Sequence, residues 1–295
     1  MPEPAGEQWR EIRYASFDDL ELYARHYPAQ GDTLRSVICL PGLTRNSRDF
    51  HTLATYLSKH AEKPRNVYCL DYRGRGKSQY DRNWRNYIPF IELIDTLDFL
   101  TLTGLQKPGI VGTSRGGIIA MLMAALRPTA LGPVVLNDIG PVVETRGMAR
   151  IVRYVRRMPV PRNWADAAIL LREMNERAFP EFTDAQWEDI AKDLFDERKG
   201  RLVRAYDRRL ARALGTIDLS RPMPDMWPQF IALSQVPVFV IRGANSDLLS
   251  ADTLEAMVER HPNLRAMTVP DQGHAPVLRE PETVEAIASF FAAND

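Results

Sequence analysis

The sequence predicts an α/β protein, a mostly parallel sheet with helices on both faces and one helical insertion. Three observations carry that expectation. Apolar runs of strand length recur at residues 36–40, 66–70, 109–111, 133–136, 236–241 and 264–269. They are continuous rather than alternating, as expected of strands buried on both faces. Helical patterns separate them, notably at 87–102 and 253–260, and strands alternating with helices at this spacing indicate a parallel sheet. The third is the turn Gly112-Thr113-Ser114-Arg115-Gly116, followed by Gly117. It joins a short apolar strand to an apolar helix at 118–127 that Pro128 stops.

Taken in order, residues 11–16 and 20–27 read as two strands joined by a turn at Phe17-Asp18-Asp19. The run 36–40 is the first continuous strand, ended by Pro41-Gly42. Asp49 reads as the N-cap of a helix whose apolar face holds Phe50, Leu53, Ala54 and Leu57. The strand at 66–70 ends at Asp71, and the strand at 133–136 ends in Asn137-Asp138-Ile139-Gly140-Pro141. From Val142 to Pro222 no strand-like apolar run occurs, while Arg, Glu and Trp fall at helical spacing. Arg150, Arg153 and Arg157 share one side of a helix whose other side carries Ile151, Val155 and Met158. A solvated helix face accounts for these arginines, with attraction of an anionic substrate as the alternative. The expected organisation is therefore a core of 1–141 and 223–295 with a helical cap at 142–222. The sheet resumes at 236–241, and a helix closes the chain at Pro281–Ala292.

Bulk properties narrow the function. A chain of 295 residues with 45% hydrophobic content supports one large domain or a core with an insertion. A formal net charge of zero argues against a dedicated nucleic-acid or polyanion binder. Cys39 and Cys69 lie inside apolar runs and read as small core residues. No pair of His or Cys has zinc-like spacing, so neither metal nor cofactor is expected. Residues 1–9 are polar, without the apolar core of a signal peptide, and no run has the length of a membrane span. A cytoplasmic protein with no membrane partner is the expectation.

The glycine-flanked turn places Ser114 at a strained strand-to-helix corner, its hydroxyl exposed above a helix N-terminus. Attack on a carbonyl produces an oxyanion, so that placement suits a nucleophile. A serine nucleophile needs a base, and the base an orienting acid. Of five histidines, His26, His51, His60 and His261 fall in an early strand or in or at the ends of helices. His274 instead follows the last strand in Asp271-Gln272-Gly273-His274-Ala275-Pro276, at the carboxyl edge where open α/β sheets place their sites. Two acids share that edge: Asp247, after the penultimate strand, is the expected partner, and Asp138, before the insertion, is the alternative. The backbone N–H groups of Leu43 and Arg115 are the expected oxyanion donors. Two tempting phosphate motifs fail: Gly76-Lys77-Ser78 lacks the earlier P-loop glycine, Asp71 standing in its place, and Gly74-Arg75-Gly76 has Gln79 where a dinucleotide fingerprint needs its third glycine.

With Pro41-Gly42, the segment from Asp71 to Ser78, the Ser114 turn, Asp247 and Gly273-His274 in hand, the chain resembles the α/β-hydrolase superfamily, in particular its capped serine hydrolases, over nearly its whole length. The resemblance implies an eight-stranded sheet, a Ser114/His274/Asp247 triad and a cap over the substrate; the segment from Asp71 to Ser78 would be structural. Two positions depart from the family's habit. Pro41-Gly42 stands where many members carry His-Gly, and Arg115 where Met, Gln or Trp is frequent, so the pocket beside Arg115 is expected to differ. The expected activity is hydrolysis of a small carboxylic ester or lactone through an acyl-enzyme. The alternatives are carbon–carbon bond hydrolysis of diketone-like compounds, amide hydrolysis, perhydrolysis or ligand binding without catalysis.

Overall fold

A computed structural model describes residues 9–29 and 34–295; residues 1–8, part of the N-terminal stretch read above for a signal core, lie outside the described residues. Eight strands form the main sheet: β1 (Arg10–Ala15), β2 (Glu21–Tyr27), β3 (Val37–Leu40), β4 (Val67–Asp71), β5 (Gly109–Thr113), β6 (Val134–Asn137), and two later ones, β9 (Val238–Gly243) and β10 (Leu264–Val269). Their order is β1-β2-β4-β3-β5-β6-β9-β10. Only β2 runs against its neighbours; the pairs from β4 to β10 are all parallel.

Successive side chains of the central strands feed two separate cores, which explains why these strands are apolar without alternation. Ile38, Leu40, Ile110, Val134, Leu136, Val238 and Val240 point into one core. Val37, Cys39, Val111, Val135, Phe239 and Ile241 point into the other. The first core is closed by α2 (Pro89–Thr103), α3 (Arg115–Leu126), and, further along the chain, α8 (Trp227–Ile231) and α9 (Ala251–Arg260). The second is closed by α1 (His51–Thr55) and α10 (Pro281–Ala292) through Leu53, Val284, Ile287 and Phe291. Cys39 and Cys69 are buried, free, and paired across β3 and β4, the core role expected of them.

The helical turn preceding α1 is not capped by Asp49. Asn46, in extended backbone, accepts from the Arg48 N–H and starts a 3-10 turn at Ser47. Asp49 lies inside that turn and takes the Arg45 guanidinium at 2.7 Å. The cap stands three residues earlier because an N-cap side chain must accept an N–H two or three positions on.

Between β6 and β9, neighbours in the sheet, the chain makes a long excursion containing α4 (Thr145–Arg157), α5 (Trp164–Asn175), α6 (Asp184–Leu194) and α7 (Leu210–Leu214). It has its own apolar cluster, including Leu171, Phe179, Trp187 and Leu194. The excursion is not purely helical. β7 (Phe195–Arg198) and β8 (Arg201–Arg204) form an antiparallel hairpin. Its two-residue turn, Lys199-Gly200, has φ of 52° and 71°, and positive φ at both turn positions matches the twist of a tight hairpin. These strands carry Asp, Glu and Arg through much of their length, so no continuous apolar run announced them.

The loop from Asp71 to Ser78 welds excursion to core. The Asp71 carboxylate accepts from the backbone N–H of Ser47 at 2.6 Å and of Lys77 at 2.8 Å. Where a P-loop would cradle phosphate, the chain's own anion fills the space. Gly76 donates to the Ala205 carbonyl and Asp207 to that of Gly74, while the Tyr87 hydroxyl donates to Asp207 at 2.6 Å.

Candidate active site

Ser114 sits between β5 and α3 with φ 51° and ψ −108°, a conformation that a non-glycine residue adopts at a cost of order 1–3 kcal/mol. The turn closes because its flanks carry no side chain. A Cβ on Gly116 would stand 2.0 Å from the Leu40 carbonyl oxygen, and one on Gly112 2.6 Å from the Gly116 backbone. Strand and helix thus cross in near contact, and the Ser114 hydroxyl stands clear of the sheet edge.

His274, in the loop after β10, brings Nε2 to 2.8 Å from Ser114 Oγ. Its Nδ1 lies 2.8 Å from Asp138 Oδ2. An ionised carboxylate only accepts, so Nδ1 carries the proton and Nε2 is left to accept the serine O–H. The carboxylate that orients His274 is Asp138, the alternative, and not Asp247. Asp138 follows β6, flanked in the sheet by the serine's strand β5 and by β9. It is fully buried, accepting from the Gly243 N–H at 2.8 Å through Oδ1 and from the Ser246 hydroxyl at 2.6 Å through Oδ2. Asp247 lies beyond the Ser246 turn and faces α4, where Arg150 grips it through Nε at 2.6 Å and Nη2 at 2.7 Å. Burial alone would raise the Asp247 pKa, but the Arg150 hydrogen bonds and charge hold it below the ordinary carboxylate value.

The other histidines have structural partners or lie at the surface: His26 bonds Asn66, His51 bonds the Tyr27 hydroxyl, His261 bonds the Leu233 carbonyl, and His60 is exposed. The Arg115 side chain is not among those lining the cavity over Ser114. Its guanidinium turns to α2, donating to Glu92 at 2.6 Å and to the Tyr87 carbonyl at 2.9 Å. Glu92 is fully buried and also meets Arg75 at 2.8 Å. Burial would raise its pKa, and the neighbouring Arg115 and Arg75 charges hold it below the usual range instead. Arg75 in turn donates to the Leu43 carbonyl at 2.8 Å, fixing the loop that carries one expected oxyanion donor.

Three contributors escaped the sequence reading: Ser246, the Arg75–Glu92–Arg115 cluster, and Asn137. Asn137 Nδ2 donates to Thr113 Oγ1 at 3.1 Å and to the Pro276 carbonyl at 3.0 Å, tying the serine's strand to the histidine's loop. Only its place at a strand end, beside Asp138, marked it in the sequence.

A cavity of about 190 Å3 opens over Ser114 and His274. Leu43 and Thr44 line it, together with Ile151, Val155, Leu171, Phe179 and Trp187 of the excursion. Among the described residues no group of His, Cys, Asp or Glu is arranged to hold a metal ion, and no helix is long and apolar enough to cross a membrane.

The chain belongs to the alpha/beta hydrolase family, whose model matches residues 37–287. It is similar to an α/β hydrolase from Novosphingobium aromaticivorans, with 37% identity, a TM-score of 0.89, and coverage of 97% of this chain and 98% of that one. It is 29% identical to the 3-hydroxybutyrate-oligomer hydrolase of Cupriavidus necator, over 92% of this chain and 93% of the relative. E-2-(acetamidomethylene)succinate hydrolase shares the fold, with a TM-score of 0.77 at 22% identity over 96% of this chain and 99% of that one.

Proposed function

We propose that the protein is a serine hydrolase that cleaves a short carboxylic ester through an acyl-enzyme. The observation that carries this reading is the unbroken hydrogen-bond chain Ser114–His274–Asp138 at a strained strand-to-helix turn. His274 Nε2 takes the Ser114 proton as Oγ attacks the ester carbonyl, and Asp138 stabilises the imidazolium that forms. The N–H groups of Leu43 and Arg115 receive the oxyanion. Collapse breaks the carbon–oxygen bond, and His274 returns its proton to the departing alcohol. Water then gives a proton to His274 and attacks the acyl carbon, the bond from that carbon to Ser114 Oγ breaks to release the acid, and His274 returns the proton to Oγ. Residues 142–222 act as the cap, and their apolar wall supports selection of the acyl group.

Size supports a short substrate, since drug-sized pockets run to about 300–1,000 Å3 and this cavity holds about 190 Å3. The ester reading gains support from the similarity to a 3-hydroxybutyrate-oligomer hydrolase, because hydroxy-acid units are joined through carboxylic esters. The test is labelling with a fluorophosphonate probe, with the adduct mapped by mass spectrometry, alongside turnover of p-nitrophenyl acetate. Ser114 is expected to carry the label. Ser114→Ala is expected to lower kcat by about four to six orders of magnitude with the fold intact. Turnover retained in that variant overturns the reading.

A further inference from the structure

We infer that the substrate carries a free carboxylate in addition to its ester, and that Arg150 of α4 receives it. The inference rests on the ester-hydrolase reading for its substrate and on separate observations for its ligand. Apart from His274, the charged side chains lining the cavity are Arg45, Arg150, Arg279 and Asp49. The lining thus carries three arginines and one aspartate, Asp49, which pairs with Arg45, in an otherwise largely apolar chamber. Their other counter-ions, Asp193 behind Arg45 and Arg279 and Asp247 behind Arg150, are not part of the cavity wall. Each of the three arginines is already paired with a carboxylate, but on the lining itself guanidinium groups outnumber carboxylates, and an anion entering a small, largely apolar chamber meets guanidinium there.

Arg150 is the best placed of the three. Asp247 holds its Nε and Nη2, which fixes the plane of the guanidinium, and the Arg150 side chain lines the cavity. An arginine preset in this way loses little side-chain freedom when it donates to a ligand carboxylate. Its position follows from Gly147, one turn earlier on α4. A Cβ there would stand 2.4 Å from the Asp247 carbonyl oxygen, so the missing side chain lets α4 settle against the Asp247 loop. Arg45, by contrast, is tied by Asp49 at 2.7 Å and Asp193 at 3.5 Å. An anion held at Arg150 leaves the ester end of the same molecule for Ser114, which lines the same cavity.

The test pairs two probes that differ only in the free carboxylate, monomethyl glutarate and dimethyl glutarate. Binding is measured by calorimetry in the Ser114→Ala background, where no turnover interferes. The monoester is expected to bind about 10- to 100-fold more tightly than the diester, the range of a hydrogen bond to a charged group. Adding Arg150→Gln is expected to erase that preference, and Arg150→Lys to restore part of it by keeping charge without the fork. Equal binding of the two probes, or a preference that survives Arg150→Gln, overturns the carboxylate subsite. The comparison of the two probes in the Ser114→Ala background needs no variant at Arg150, so a folding defect there leaves the proposal exposed. Fluorophosphonate labelling separates the two readings. Ser114 labelled with no carboxylate preference removes only the subsite, and an Arg150-dependent preference with Ser114 unlabelled removes only the hydrolase.

Discussion

Asp138 and Asp247 stand at neighbouring corners of one sheet edge, after β6 and β9, and the structure puts them to opposite uses. Asp138 has no exposed surface and three donors: a backbone N–H, the Ser246 hydroxyl and the His274 ring. Asp247 is partly exposed and spends both oxygens on Arg150. A carboxylate that is to orient a base must be held from several sides, since misplacement of the ring is what it prevents. One that holds an arginine against a neighbouring helix needs only that arginine. The difference teaches that a carboxylate's role is set by its donors and not by its place after a strand.

The largest effect expected from this contrast is in kcat. Asp138→Asn is expected to lower kcat by about 10^3- to 10^4-fold, because an amide donating to Nδ1 would favour the wrong tautomer. Asp247→Asn is expected to cost less than about tenfold, well inside the effect of losing one hydrogen bond to a charged group. Steady-state kinetics on p-nitrophenyl acetate compare the two directly. Equal losses would erase the distinction, and a larger loss at Asp247 would reverse it.

A smaller effect is expected at Ser246, whose hydroxyl supports the Asp138 carboxylate. Ser246→Ala is expected to lower kcat by roughly 10- to 100-fold, the value of one hydrogen bond to a charged group, with KM little changed. A change confined to KM would place Ser246 with substrate and not with Asp138.

The smallest effect is on stability. Arg150 holds the folded-state pKa of Asp247 below its unfolded value of about 3.9. Its contribution is therefore present above that pH and is lost as pH falls through the lower folded value. With both side chains about a quarter to a third exposed, the pair is worth on the order of 1 kcal/mol or less. Urea unfolding of Asp247→Asn against the parent is expected to show that gap at pH 7, and the gap is expected to close as the pH falls below the ordinary carboxylate range. A gap that widens on acidification would show that Asp247 is stabilised in its protonated form.

Much of this molecule was legible in the chain. The strands of the sheet are legible within one or two residues because two buried faces demand continuous apolar side chains, while which residue feeds which core is seen only in the structure. Ser114 and His274 were legible because each stands in local chemistry that admits few alternatives: a glycine-flanked turn with no room for a Cβ, and a loop beyond the last strand. The hairpin β7–β8 was missed because its charged residues interrupt any apolar run.

The acid was not legible. Ser, Asp, His is the chain order with either carboxylate, so order carried no information about which one was meant. Backbone direction, the adjacency of β5, β6 and β9, and the reach of Arg150 from α4 decided it. The same holds for Arg115, which points to Glu92 and away from the cavity. The sequence by itself determined the layers, the strained corner that holds Ser114 and the edge on which the candidate site lies, because these depend on local periodicity and on residues without side chains. The tertiary structure decided which charge meets which, because ion pairs and hydrogen bonds join residues as far apart as Asp138 and His274, or Arg150 and Asp247, and no local pattern encodes their partner.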